Sequence, residues 1–423
     1  MSSTAARFTV IGCLVLAGEV VFGLPFNIPR YFRATTLEVF EFSNAQLGDV
    51  FAAYGVTAML SYFVGGPIAD RYSARKLMSL SLFATGLGGF YMATIPGVGG
   101  MALLFGWWGV TTILFFWAAL IRSTREWGGA TTQGRAFGIL DGGRGLVAAA
   151  LASIAVVVFS LFIPSETALV TEEARFTAMR AVIYFYTAVT FVTALLCWFA
   201  IPDADHRRGT PRPNPLKGLG QVMRSRTVWI QAMIVVFAYC GYKGLDNYSL
   251  YAVQVLDMSE VEAARFTAAC AWLRIVAAFG AGMLADWFSA RKVIGGAFAV
   301  LVLSYGFLGT FAPSTSLLIF IVIVNIVISY LGVYALRGVY FALLEETQVP
   351  SERTGTAVGL ISVIGYTPDI FFAPIAGRLL DHSPGVAGHQ HYFILLTFIS
   401  AAGMIAVFVL DALVKRDLRQ QIE

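Results

Sequence analysis

Apolar runs of about 20 residues or more recur along the whole chain, and each is long enough to cross the roughly 30 Å of hydrocarbon in a bilayer as a helix. They cover residues 9–28, 45–69, 77–96, 101–121, 136–163, 179–201, 228–252, 263–285, 293–312, 316–340, 355–379 and 391–413. No other feature restricts the fold as strongly. At membrane depth no water satisfies a stray N–H or C=O, so a spanning segment is either a helix or a strand of a closed barrel. The alternation of a barrel strand is absent, and an all-α membrane protein with twelve transmembrane helices is expected. Composition agrees: 58% of the residues are hydrophobic and 13% charged, with a mean hydropathy of +0.74, against about 25% charged in soluble domains. The first run carries Glu19 and continues past Pro25 without a small-residue cleavage site, so it reads as a retained helix and not a signal peptide.

Lysine and arginine set the orientation. With the N-terminus inside, eighteen fall in inner loops and six, among them Arg30, Arg33 and Arg175, in outer ones. Both termini are therefore expected in the cytoplasm, and the net charge of +4 reflects this bias and not a nucleic-acid partner. Cys13, Cys197, Cys240 and Cys270 lie inside spans without metal-ligand spacing and read as packing residues. His389 and His391 could touch a metal, but read more simply as solvated loop residues beside His382. No cofactor or metal is expected.

Residues 203–227 are polar, basic and rich in Pro and Gly, as a cytoplasmic linker is. They separate an N-terminal six-helix bundle, 1–202, from a C-terminal one, 228–423. After the second helix of the first half stand Gly66, Asp70, Arg71, Arg75 and Lys76; about 216 residues later stand Gly282, Asp286, Arg291 and Lys292, with Trp287 in the place of Arg71. The motif G-x-x-x-D-R-x-x-x-R-K and its weakened echo resemble the loop signature of major facilitator transporters, whose fold is two pseudo-symmetric six-helix bundles. The resemblance implies a gate of Gly66, Asp70, Arg71, Arg75, Asp286 and Arg291. Asp70 would approach the positive start of helix 11 near Thr354, and Arg75 would anchor it. Gly65, Gly66, Gly280 and Gly282 would let helices approach closely. The plainer reading makes the basic residues topology signals alone.

Ionisable groups inside spans are costly and mark function by default. Glu19, Lys243, Asp246, Arg274 and Asp369 are the clearest. Arg122 and Arg337 close helices 4 and 10 at equivalent places, 215 residues apart. Guanidinium groups from two halves can clamp a carboxylate or phosphate; otherwise both snorkel to lipid headgroups. Around Arg122, the order Arg122, Trp127, Arg135, Phe137, Gly138, Gly143 resembles the helix 4–5 region of organophosphate/phosphate antiporters and related anion symporters, which implies that Arg122 binds the acidic group of a substrate. Arg144 can pair with Asp141 at i−3. Tyr239, Tyr242, Lys243 and Asp246 form a polar stripe on helix 7, and Tyr330 and Tyr334 face the same space. Trp107, Trp108 and Trp117 read as lipid-facing or interfacial. Glu19 and Asp369 are candidates for proton coupling, unless they sit in permanent ion pairs such as Glu19 with Lys243.

The expected protein is thus a monomeric secondary transporter of a small organic anion (a carboxylate, a sugar acid or a phosphorylated metabolite) in the cell's inner membrane, driven by a proton or counter-anion gradient. The substrate would be bound by Arg122, Arg337, Lys243, Arg274, Tyr239, Tyr242 and Tyr334. Rival readings are proton-driven efflux of a lipophilic or zwitterionic compound and a transporter-like ligand sensor. An enzyme is not expected, because no nucleophile, metal set or paired carboxylates stand at useful spacing.

Overall fold

A computed structural model describes residues 4–129, 132–164, 170–203, 219–347 and 354–422. Most of the expected linker, with His206, lies outside them. Among the described residues there is no strand, and eleven helices are long and apolar enough to span a bilayer. With the shorter Ala74–Met92 they number twelve in chain order. These are α1 Ala5–Tyr31, α2 Asn44–Arg71, α3 Ala74–Met92, α4 Val98–Gly128, α5 Gln133–Ser160, α6 Glu172–Ala200, α7 Arg226–Gln254, α8 Glu260–Trp287, α9 Ala290–Thr310, α10 Ser316–Ala342, α11 Ala357–His382 and α12 Val386–Ile422. Starts are fixed locally. Ser43 with Gln46 and Ser259 with Glu262 make capping boxes at α2 and α8, and the side chains of Thr171 and Thr315 cap α6 and α10.

By internal packing the chain divides into two units. One comprises Met1–Gly209, Asp246–Trp272 and Ala373–Gly377, the other Thr210–Leu245, Leu273–Phe372 and Arg378–Glu423. Inside the first, α1 packs on α5 and α6, α2 on α4, and α3 on α6. Inside the second, α7 packs on α11 and α12, α8 on α10, and α9 on α12. The second pattern is the first with six added to each helix number, so the repeat seen in the loop motif extends to the packing.

Several helices are interrupted where chemistry collects. In α1, residues Gly23–Asn27 widen to a π-helix, since Pro25 lacks the N–H that would continue the α-helical ladder. In α4, Val110–Trp117 do the same; here Thr111 and Thr112 donate their hydroxyls to the Trp108 carbonyl, at 3.4 and 2.7 Å, in competition with the ladder. Helix α7 tightens to a 3-10 turn at Leu245–Asn247, and α8 breaks at Trp272. The division between the units falls at those same two places.

Some expectations about burial are corrected. Trp108 does not face lipid: it is fully buried, its N–H on the Thr85 carbonyl at 3.0 Å, because Gly88 leaves room for the indole. Trp117 is half-buried, and only Trp107 is exposed. Gly66, Gly280 and Gly282 have nothing within 4 Å of where a β-carbon would stand, whereas Gly65 lies against the Leu114 carbonyl of α4. Close backbone approach occurs elsewhere: a β-carbon on Gly48 would enter the Ala373 carbonyl, and one on Gly377 the Asn44 carbonyl, so α2 and the Ala373–Gly377 segment meet backbone to backbone. Arg30 and Arg33 are buried, at 8% and 2% exposure, and are not solvated loop signals. His389 stands on α12, also buried, and not in a loop.

Candidate functional site

In the second unit, α7, α10 and α11 bring charged and aromatic side chains together. Asp369, on the first turn of Pro368–His382, the stretch of α11 that follows a break after Gly365, receives the Tyr239 hydroxyl on both carboxylate oxygens at 3.1 Å. One turn along α7 the Lys243 ammonium lies 3.5 Å from the same carboxylate. The Lys243 side chain is 2% exposed and that of Asp369 14%, so the ion pair is largely out of water. Tyr239 stacks on Tyr242 (5.8 Å between centroids) and meets Tyr366 edge-on at 4.9 Å, while the Tyr366 and Tyr340 hydroxyls are 3.4 Å apart. The Arg337 guanidinium sits over the Tyr242 ring, 3.9 Å from its centroid, as a cation–π contact. The tyrosine stripe expected on α7 is thus an aromatic wall between two cations and a carboxylate. Tyr340 and Tyr366 were missed by sequence reasoning, having no charge and no obvious periodic partner.

Tyr330 and Tyr334 are buried on α10 with ring centroids 5.8 Å apart. Arg274 is buried just beyond the α8 break, at 7% exposure. Arg122, the repeat mate of Arg337, is engaged differently. Its guanidinium donates to the carbonyls of Ala69 and Tyr72, the latter at 3.0 Å, and lies 3.6 Å from Glu126. The last turn of α2 leaves carbonyls without helical partners, and Arg122 satisfies them.

In the first unit, Arg144 of α5 takes the central place. Its Nε donates to the Gly18 carbonyl at 3.0 Å, and its terminal nitrogens lie 3.4 Å from Glu19 and 3.8 Å from Asp141. Phe22 and Trp117 cover it at 5.8 and 5.5 Å. Glu19 is 5% exposed and paired with Arg144.

The repeated loops also resolve. Arg75 pairs with Asp203 just past α6 at 2.6 Å, with Lys76 3.7 Å from the same carboxylate and the Trp198 ring under the guanidinium at 5.2 Å. In the second unit Arg291 pairs with Asp411 of α12 at 2.9 Å and with Glu346 at 2.6 Å. In both copies, then, the motif arginine pairs with an acid of its own half, Asp203 just past α6 and Asp411 within α12. Asp70, Arg71 and Asp286 are exposed. Asp203 is held below the usual carboxylate range, first by the Ser73 hydroxyl beside it and then by Arg75 and Lys76.

At the end of the first unit opposite these loops, Arg30 pairs with Asp246 at 2.6 Å, and the Ser249 hydroxyl donates to the Arg30 carbonyl at 2.8 Å. Arg30 and Asp246 are 216 residues apart, as are Arg33 and Ser249, which also touch. Each of these residues meets its own counterpart in the repeat.

Comparison with known proteins decides the family. The sequence pattern of the Major Facilitator Superfamily matches residues 11–373. The chain belongs to the major facilitator superfamily. It is accordingly a transporter that works by alternating access, in a family of transporters and not of enzymes. Among its relatives are two inner membrane proteins of Escherichia coli strain K12, YqcE and YihN. YqcE is 28% identical, covering 95% of this chain and 93% of its own; YihN is 26% identical, covering 98% and 97%. A probable nitrate/nitrite antiporter of Thermus thermophilus, NarK1, is 25% identical over 64% of this chain and 59% of its own. Of solved folds, a bacterial homologue of the lysosomal transporter Spinster superposes with a TM-score of 0.74 at 16% identity, covering 98% and 99% of the two chains. The nucleoside transporter NupG does so with 0.73 at 11%, covering 96% and 98%. The protein is a multi-pass inner membrane protein.

Proposed function

We propose that this transporter carries a small organic anion together with a proton, and that both termini face the cytoplasm. The reading rests on one observation: Lys243 is held by Asp369 in a nearly dry setting, with Arg337 stacked beside it on the tyrosine wall. An arriving carboxylate competes with Asp369 for the ammonium and finds Arg337 within the same cluster. Displaced from its cation, Asp369 takes up a proton as the anion binds, so the net charge of the cluster is unchanged. Departure of the anion restores the ion pair and expels the proton. Tyr239 stays in contact throughout, donating to the ionised carboxylate and accepting from the protonated one. The name of the Thermus relative, a probable nitrate/nitrite antiporter, lends support to an anionic cargo.

Arg122 is a capping group in this reading, while Arg337, Lys243, Arg274, Tyr239, Tyr242 and Tyr334 remain candidates for substrate contact. Glu19 already has its arginine, which weighs against efflux driven by a helix 1 acid. In the loops, Gly66, Asp70, Arg71, Arg75, Asp286 and Arg291 act on the cytoplasmic side.

The test is a thermal-shift screen of purified protein against organic acids, followed by counterflow and pH-gradient-driven uptake in liposomes. Asp369→Asn should retain counterflow and lose the response to the pH gradient, and Lys243→Gln should lose both. Stabilisation by neutral or cationic compounds alone, or a gradient response that survives in Asp369→Asn, would overturn the proposal.

A further inference from the structure

Beside the Arg30–Asp246 pair, a second ionic cluster joins three elements of the first unit. Glu38 comes from the short helix Arg33–Val39, Arg175 from the first turn of α6, and Glu260 from the first residue of α8. The Arg175 Nε lies 2.6 Å from Glu260 Oε1, to which it donates, and 2.8 Å from Glu38 Oε2. The other oxygen of Glu260 accepts the Thr35 hydroxyl. One N–H cannot donate fully to two carboxylates. Glu260, its side chain 10% exposed and bonded on both oxygens, has the better claim. Glu38, its side chain 54% exposed, faces an Nε–H already donated to Glu260 and a like charge that repels it.

We propose that Glu38, Arg175 and Glu260 form a proton-sensitive lock at this end of the transporter, tightened when Glu38 is protonated and loosened when it is ionised. This rests on alternating access, but neither on the anion nor on Asp369. The segment Asp246–Trp272 belongs in sequence to the second half, yet it packs with the first. Alternating access requires such contacts to part in one of the two states, so whatever strengthens them shifts the balance between states. Neighbouring charges are accounted for from each element: Arg33 on the short helix, Glu172 and Arg175 on α6, and Glu260 and Glu262 on α8, with Glu262 committed to the Ser259 cap. Consistent with that arrangement, the Glu38 carboxyl is raised above its ordinary value, first by removal of water on its packed side and then by Glu260, against the opposing pull of Arg175. The sign follows. A carboxyl whose pKa is higher with the contacts made favours them fully below its ordinary pKa, and that contribution is lost as the pH rises through the raised value.

The test uses the full-length chain in lipid nanodiscs, with Cys13, Cys197, Cys240 and Cys270 replaced by alanine. Spin labels are placed at Glu173→Cys on α6 and Arg265→Cys on α8, both exposed positions near the cluster. Double electron–electron resonance is read from about pH 5 to about pH 8, a range spanning raised carboxyl pKa values. The short-distance population should grow on acidification, by no more than about tenfold per pH unit for a single proton. In Glu38→Gln the short distance should persist at every pH. In Arg175→Gln it should be depleted at every pH; should that variant fold poorly, Glu38→Gln alone decides. A distance distribution that does not respond to pH in the parent, or the same response in Glu38→Gln as in the parent, would overturn the lock. Because no substrate is used and Asp369 is intact throughout, failure here leaves the anion reading untouched.

Discussion

Replacing Asp246 with Asn tests how much of the described conformation rests on one buried ion pair. The Arg30 Nε and Asp246 Oδ1 are 2.6 Å apart, with side chains 10% and 6% exposed, so the Coulombic attraction is little screened. Both groups have already lost their hydration. Removing one charge leaves the other desolvated without its counter-ion, which costs about 3–5 kcal/mol, equivalent to roughly two to four powers of ten in the folding equilibrium. Arg30→Met should cost a similar amount. The double variant Arg30→Met/Asp246→Leu should cost much less than the sum, since an apolar pair of similar volume owes no desolvation. The charge-reversed double, Arg30→Asp/Asp246→Arg, should recover more than half of the loss, because the two positions are repeat equivalents. The assay is equilibrium unfolding in mixed detergent micelles, followed by tryptophan fluorescence. Single variants within about 0.5 kcal/mol of the parent, or doubles that are simply additive, would refute the reasoning.

Further outcomes are expected at other positions. Gly48→Val drives a side chain into the Ala373 backbone; overpacking of this kind costs about 1–3 kcal/mol, and it should show as a lower unfolding temperature with slowed transport. Arg122→Gln releases the Ala69 and Tyr72 carbonyls and should lose about 1.5–3 kcal/mol of stability, the usual worth of a hydrogen bond to a charged group. Ligand affinity in thermal-shift titration should stay near the parent's in that variant and collapse in Arg337→Gln. Asp203 is depressed by its neighbours, so its contribution is present above the ordinary carboxylate pKa and disappears as the pH falls through the lowered value. Unfolding temperatures of the parent and Asp203→Asn should therefore differ at neutral pH and converge in acid.

The tyrosine stripe on α7 could be read from spacing because a helix places every third or fourth residue on one face, and Lys243 marks which face is polar. Asp369 could be found for the same reason: a carboxylate in an apolar run has to be accounted for. That these two are partners could not be read. They are 126 residues apart, and only the packing of α7 on α11 brings them within 3.5 Å. Arg122 and Arg337 show the limit of repeat arguments. Their 215-residue separation is real, yet one is drawn to the open carbonyls of α2 and the other to a tyrosine ring, because side chains answer to their immediate surroundings and not to symmetry.

Hydrophobicity by itself determined that this chain spans a membrane as helices, since backbone groups in hydrocarbon have no alternative partners, and the repeated loop motif determined that the helices form two related halves. Which charges far apart in sequence are paired was decided by the tertiary structure. The energy of a buried ion depends on what lies within a few ångströms, and sequence order does not encode those distances: Arg30 and Arg33 looked like loop charges and are buried, and Glu19 was a candidate proton carrier and has Arg144 beside it.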